Sequence, residues 1–385
     1  MKKKSTLFTI IIILFMAFNC TEQRMTGPSS VQFETTIKIM DTSFVTKAIH
    51  DTFLVPEANI VLYSTSYGIT YESLSNSAGE AILSDMIPDI YNASVFKIYP
   101  SDTVEKYLPL QQDITLVGSK SNLSLSSGSD TIQIELHPVF SSDLLISEIF
   151  YNGSPQPPPY YFHDQFTEIY NNSSETIYLD SYAICDADYG FKEDPQYIHS
   201  IHLYGFPGSG QDYPLEPGEM ITIAQDAIDH TEINSNSLDL SHSTFEYYNH
   251  LSSDIDNPLV PNMVQIHHKY GIDFLYSVMN DAILLVKLEE SDTLWNYDDF
   301  DRILVPKDRV VDGVEYRENT LEYDHKRLSD DIDAGITGGL PMYQGKSIAR
   351  KVFQEQDGQL LLMDNNNSSI DFQVLDTPTP GIINE

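Results

Sequence analysis

The chain is predicted to be all-β, and three observations lead there. Beyond the N-terminal segment no stretch sustains the apolar period of an amphipathic helix. Short runs of β-branched and aromatic residues alternate instead with clusters of Asn, Asp, Gly, Ser and Pro, the pattern of a sandwich built from short strands. The 24 tyrosines and 18 phenylalanines suit pleated, half-buried surfaces. A length of 385 residues, 41% of them hydrophobic, is enough for two cored domains, so two β-sandwiches in tandem are expected.

Lys2, Lys3 and Lys4 precede an apolar run from Leu7 to Phe18, and Asn19-Cys20 follows. A basic start and an apolar run of this length make a secretory signal; a membrane-spanning helix needs about 18–20 apolar residues. Ala17-Phe18-Asn19-Cys20 resembles the lipobox of bacterial lipoproteins, in a loose form found among Bacteroidetes. The resemblance implies that residues 1–19 are removed, that Cys20 is acylated, and that the protein sits at the outer membrane through its lipid. Phe18 and Asn19 depart from the small residues of stricter lipoboxes, which leaves an ordinary secretory signal as the alternative. Residues 20–30, polar and carrying Gly27-Pro28, read as a flexible tether.

Charge narrows the partners. The formal net charge is −36. Loss of the three lysines leaves 18 basic residues (21 less these three) against 57 acidic ones, a net charge of −39. Nucleic acid and anionic lipid headgroups require a basic surface, and both are excluded as ligands. Acidic surface keeps an exported protein soluble, and it also attracts cations. Cys185 is the one cysteine left after Cys20, so no internal disulfide framework is expected.

The first unit is placed at residues 31–140. Thr35–Ile39 reads as a strand, Val55–Tyr63 as an entry and a second strand, Asn76–Leu83 as a turn and a third, and Ile87–Val95 as a fourth. Ser119–Asp130 is rich in Ser and Gly, and Thr131–Leu136 alternates as a closing strand. The patterns P-x-A-x-I-x-L, N-x-x-G-x-A-x-L and I-P-x-x-Y-x-A-S-V, in this order, resemble the carboxypeptidase-regulatory or transthyretin-like β-sandwich. That resemblance implies a seven-stranded spacer or accessory module and no chemistry.

The second unit is placed at residues 141–385. Strands are read at Asp143–Tyr151, Asp164–Ser173 and Ile177–Ile184, then at Leu215–Ala224, Asn280–Val286 and Val310–Tyr316. The chain closes through Ser347-Ile348-Ala349-Arg350, Asp364–Phe372 and Thr379-Pro380-Gly381. These patterns, in order, resemble the lamin-tail domain, an immunoglobulin-like sandwich of secreted bacterial proteins. The arrangement is also similar to a family of Bacteroidetes lipoproteins of unknown function (DUF4876). The unit is about twice the length of a plain lamin-tail domain, with the surplus at residues 186–212 and 225–279. Long loops in a compact sandwich are often functional, so these two are the expected ligand sites.

Eight of the eleven histidines lie between His163 and His268. Of these His199, His202, His242, His250, His267 and His268 are the candidates for a transition-metal or haem site assembled from the two loops, since imidazole suits Zn, Cu and Fe. On strands, His199 and His202, like His267 and His268, point to opposite faces, and scattered surface histidine is the competing reading. Asp254-Ile255-Asp256-Asn257 and Asp331-Ile332-Asp333-Ala334-Gly335 begin an alternating-oxygen loop, but Pro258 interrupts the first and Met342 stands where the second needs Glu. An EF-hand is excluded and an irregular calcium site stays open. Glu148 and Glu168 could form an acid–base pair of an unfamiliar hydrolase, or accept hydrogen bonds from strand-end amides or Arg350. G-x-S-x-G, H-E-x-x-H and phosphate-loop patterns do not occur. Cys185, next to Asp186, reads as a buried structural thiol.

No catalytic residue and no resident cofactor are therefore predicted. The leading expectation is a lipid-anchored envelope protein that binds or scaffolds, with Tyr160, Tyr161, Phe162, Tyr247 and Tyr248 as aromatic contacts for a protein or glycan partner. An outer-membrane, TonB-dependent transporter is the partner the family resemblance suggests, and metal or haem capture is the alternative.

Overall fold

The structure is a computed structural model that describes residues 32–43, 45–108, 114–126, 131–139, 142–156, 159–188, 194–289, 295–356 and 358–383. Cys20 and the tether lie outside the described residues.

The protein is all-β. The first seven strands are β1 (Phe33–Asp41), β2 (Asn59–Ser64), β3 (Thr70–Leu74), β4 (Glu80–Met86), β5 (Asp89–Tyr99), β6 (Ile114–Leu125) and β7 (Thr131–Val139). They form one sheet in the order β3-β2-β5-β6-β7-β1-β4, whose end strands β3 and β4 come against each other. In β1, Thr35, Ile37, Ile39 and Asp41 are buried and alternate with half-buried residues, and Ile37 and Ile39 join Ile60, Leu62, Val95 and Leu116 in one core. Both turns marked in the sequence are formed. Asn76 Oδ1 accepts from Ala78 N (2.8 Å) and Glu80 N (3.1 Å), with Gly79 at φ +66°, and the Tyr91 phenol donates to the Ile87 carbonyl at 2.6 Å. The Ser-rich stretch after Ser119 does not end the strand, because β6 stays paired with β5 out to Leu125.

The remaining strands begin with β8 (Leu144–Phe150), β9 (Phe166–Asn171), β10 (Ile177–Tyr178), β11 (Tyr182–Asp186), β12 (Tyr197–Ser200), β13 (His202–Gly205) and β14 (Pro214–Leu215). They continue with β15 (Met220–Ala224), β16 (Phe245–Glu246), β17 (Val264–His268), β18 (Asn280–Lys287), β19 (Asn296–Tyr297), β20 (Ile303–Pro306) and β21 (Val310–Arg317). The last are β22 (Thr337–Gly338), β23 (Ser347–Arg350), β24 (Val352–Gln356), β25 (Gln359–Leu362) and β26 (Phe372–Leu375). Two six-stranded sheets, β17-β13-β11-β18-β21-β22 and β16-β15-β9-β8-β23-β26, share a core that includes Ile146, Ile169, Ile184, Tyr204, Ile283 and Ile348.

A third layer lies outside the first of these sheets. Cys185, Leu203 and Leu284 on its outer face pack with Ile198, Ile303 and Val305 of the small sheet β12-β20-β19. Strand β18 is therefore buried on both faces from Asp281 to Val286, which is why it reads as a continuous apolar run rather than an alternation.

Residues 186–212 and 225–279, read as long inserted loops, carry short strands as well as loop. The first insert supplies β12 and β13, and the second supplies β16 and β17, so both extend or cover sheets. The Leu215-to-Ala224 segment is two short strands joined by a turn rather than one strand. Its turn is formed, with Gly218 at φ +78°, but β14 pairs with β10 while β15 pairs with β9.

Candidate functional site

The closing motifs assemble two buried hydrogen-bond lattices. Arg350, on β23, donates to both oxygens of Asp312 at 2.7 Å, to the Ile146 carbonyl at 2.9 Å and to the Met363 carbonyl at 2.8 Å, with Asp364 at 3.4 Å and Asp371 at 3.5 Å. Glu148 and Glu168 face each other across the β8–β9 pair. Glu148 accepts from Ser347 Oγ (2.6 Å), Thr379 N (3.0 Å) and Thr379 Oγ1 (2.7 Å). Glu168 accepts from Thr222 Oγ1 (2.7 Å) and from Gly381 N. The pair thus clamps the Thr379-Pro380-Gly381 segment, and neither carboxylate bonds Arg350. Burial, then the neighbouring Glu148 charge, pushes Glu168 up to about 8.

A second cluster lies where β9 begins and β15 ends. These strands are antiparallel neighbours with Phe166 opposite Ala224, so His163, Asp164 and Gln165 come to the same end as Gln225 and Asp226. The amide of Gln225 donates to the Gln165 carbonyl at 2.9 Å and lengthens the ladder. The side chain of Gln165 then holds the 273–276 segment, accepting from Tyr276 N (2.8 Å) and donating to the Tyr276 carbonyl (2.9 Å) and the Tyr151 carbonyl (2.7 Å).

That clamp sets Asp273 against His163, whose Nδ1 is hydrogen-bonded to Asp273 Oδ2. Asp254 is brought in by its own turn: its Oδ2 accepts from Asn249 N at 2.7 Å, and Asn249 Nδ2 donates to the Ile272 carbonyl at 2.9 Å. Donor atoms of His163, Asp226 and Asp273 all lie within 4.8 Å of one another. The Asp254 carboxyl is in hydrogen-bonding reach of both aspartates.

The electrostatics of this cluster are those of carboxylates shut away together. Asp226 and Asp273 are only 2% and 5% exposed. Burial first, then the Asp273 charge, pushes Asp226 up to about 7. Burial also raises Asp254 to about 8. Against the burial that would raise it, hydrogen bonds from His163 and Asp254 hold Asp273 low, and the Asp273 hydrogen bond raises His163. Burial lowers His230 to about 4. It is therefore neutral at pH 7, donating from Nε2 to the Asp226 carbonyl (2.9 Å) and accepting at Nδ1 from the Tyr161 phenol (2.9 Å).

The six histidines chosen from the sequence do not converge. His199 sits between Asp298 (2.7 Å) and Asp194 (3.3 Å). Both nitrogens of His202 are engaged, Nδ1 with Asp186 at 2.7 Å and Nε2 with the Tyr270 carbonyl at 3.0 Å, and the Asp186 charge raises its pKa despite burial. His268 lies 4.7 Å from the His202 ring but accepts from the Tyr204 phenol at 2.7 Å. The ring of His267 packs on Tyr297, and His242 and His250 are exposed. The six therefore form no single cluster: β13 and β17 set His202 against His268, whose rings meet, and place His267 on the opposite face.

The aromatic candidates also separate. Tyr160 is exposed and stacks on Tyr343 with centroids 4.5 Å apart, Phe162 stacks on His163 at 4.9 Å, and Tyr161 holds His230. Tyr248 is half-buried. Tyr247 is a core residue, 1% exposed and with its hydroxyl 3.0 Å from that of Tyr276, and so offers no surface to a partner.

Cys185 is buried, and burial, then the Asp186 charge, raises its thiol pKa. In the Cys20→Ser protein Cys185 is expected to resist a maleimide while folded and to react fully in denaturant. Labelling of the native protein at the denatured rate would contradict this placement.

These features define the class: an all-β protein with two facing six-stranded sheets and a buried histidine–aspartate cluster at one end. Residues 216–379 match the family described as Protein of unknown function (DUF4876). The crystal structure of a DUF4876 family protein from Bacteroides thetaiotaomicron VPI-5482 is similar over 92% of this chain and 96% of that one, with a TM-score of 0.56 and 23% identity, a likeness of fold. Two further similarities have TM-scores of 0.19, too low to carry the fold. A putative adhesin from Bacteroides ovatus ATCC 8483 is 9% identical over 73% of this chain and 81% of that one. The fimbrial anchor protein Mfa2 from Porphyromonas gingivalis is 6% identical over 67% and 78%. No curated protein sequence matches the chain.

Proposed function

We propose that this is a lipid-anchored binding or scaffold protein of the cell envelope, held at the outer membrane through Cys20. The observation that carries the reading is the N-terminal order of Lys2–Lys4, an apolar run and Cys20. Acyl chains contribute about 0.8 kcal/mol per buried methylene, so more than one holds a folded unit at a bilayer durably. Among the described residues no helix is long and apolar enough to cross a membrane.

A binding rather than a catalytic role is supported by the use of Glu148 and Glu168, which clamp the chain's own closing segment. The exposed Tyr160, stacked on Tyr343, suits a protein or glycan contact, and an outer-membrane transporter is the partner we favour.

Replacing Cys20 with Ser tests the anchor. The wild-type chain is expected in the membrane fraction, resistant to salt and released by detergent, and the variant in the soluble fraction. A Cys20→Ser protein that stays with the membrane overturns the proposal.

A further inference from the structure

We propose that His163, Asp226 and Asp273, with Asp254 beside them, form a binding site for one divalent first-row transition ion of the zinc or manganese class. The inference is independent of the lipid anchor and involves none of the six loop histidines considered above.

Three observations converge on it. Donor atoms of a histidine and two aspartates, drawn from three separate segments, lie within 4.8 Å of one another. Asp226 is 2% exposed, its carboxylate is one of those three donors, and its Oδ1 is closed to solvent without a hydrogen-bond partner. A buried carboxylate oxygen left unpaired is costly, and such atoms call for a ligand or an ion. The single ion-pair contact this cluster makes among the described residues is His163 with Asp273, so one imidazole is set among the carboxyl groups of Asp226, Asp254 and Asp273.

An ion would take the place of the proton between His163 and Asp273 and recruit the free oxygen of Asp226. Bonds of about 2.0–2.2 Å from one nitrogen and two or three oxygens are what such ions accept, with small rotations of side chains already facing one another. The mixed donor set decides the class: a calcium site would be built from oxygens alone, whereas imidazole favours zinc and its neighbours.

The surroundings resemble the support that metal ligands receive. Gln165 clamps the Asp273 segment to the strand carrying His163, and Asn249 positions Asp254. His230, bonded to the Asp226 carbonyl, and Tyr161, bonded to His230, hold the Asp226 backbone from behind. Phe162 stacked on His163 limits the ring's rotation.

The test uses the full chain in detergent, stripped with a chelator and dialysed against zinc, manganese or calcium chloride at pH 7.5. One zinc or manganese ion per chain is expected, with a rise in Tm. Asp226→Asn and His163→Ala should each weaken binding at least about 100-fold, since the first removes an anionic donor and the second the imidazole. His242→Ala, on the surface, should leave binding unchanged. Folding of the variants is checked by metal-free Tm at pH 5.5, where Asp226→Asn should be no less stable than wild type. Three results would overturn the site: no bound ion, binding untouched by both ligand substitutions, or a preference for calcium over zinc and manganese.

Discussion

Replacing Arg350 with methionine is expected to cost the fold on the order of 3–5 kcal/mol, the usual penalty when one partner of a buried ion cluster is removed. The guanidinium is 3% exposed and lies among Asp312, Asp364 and Asp371, all buried. Methionine fills much of the volume but leaves three carboxylates without their cation and the Ile146 and Met363 carbonyls without their donor. Those carbonyls belong to segments far apart in the chain, so the loss loosens β8 and the turn before α1 (Ser368–Asp371) together. Lysine is expected to restore little, because it cannot present two parallel donors to Asp312. Pairing Arg350→Met with Asp312→Asn should recover part of the loss, since one of the stranded charges goes too. Urea unfolding followed by circular dichroism measures all three variants. An Arg350→Met protein within about 1 kcal/mol of wild type would show that the cluster is not what holds these segments.

The same arginine shows what could be read from the sequence. Arg350, Asp312, Asp364, Asp371, Glu148 and Thr379 were all singled out as members of short ordered motifs, and they meet in two lattices inside the folded chain. Motifs of this kind are legible because each is a local turn or strand with its own composition. The alternation in β1 and the Asn76–Gly79 turn were legible for the same reason. The strands of the two inserts were not. Strands β12, β13, β16 and β17 are two to five residues long, too short to show a period against Ser- and Asp-rich flanks, so they read as loops.

The histidine–aspartate cluster was hidden by a different cause. Its members lie at 163, 226, 254 and 273, and the pairing of β9 with β15, the Gln165 clamp and the Asn249 turn bring them together. Counting histidines favoured the doublet at His267 and His268, whose rings diverge on a strand, over His163, which stands alone in its segment. The available signal was His163-Asp164-Gln165 before one strand and Gln225-Asp226 after another. It becomes informative once those strands are known to be antiparallel neighbours.

Substituting Glu168 with glutamine should stabilise the protein, and by an amount that depends on pH in a defined way. Glu168 is 1% exposed and faces Glu148, and its folded pKa stands at about 8. In the unfolded chain the same carboxyl titrates near its usual value, so between about pH 4.5 and 8 the folded state holds a proton that the unfolded state has released. A group raised in this way leaves stability intact below its unfolded pKa and removes it progressively as pH climbs to the folded value. Glutamine has no proton to lose and keeps the acceptor for Thr222 and Gly381. The two proteins should therefore be about equally stable near pH 4.5. They should diverge by up to about 1.4 kcal/mol per pH unit, and differ by on the order of 4 kcal/mol near pH 7.5 before levelling off above pH 8. Groups elsewhere that titrate over this range, including the lowered His230 and the raised His202, are common to both proteins and cancel in the difference. Thermal or urea unfolding at half-unit steps of pH, with chelator present, reads the curve. A constant difference across the range would mean that Glu168 is ionised in the fold. It would then need a cation or further donors beside it, and the clamp on Thr379 and Gly381 would have to be described as one between charged partners.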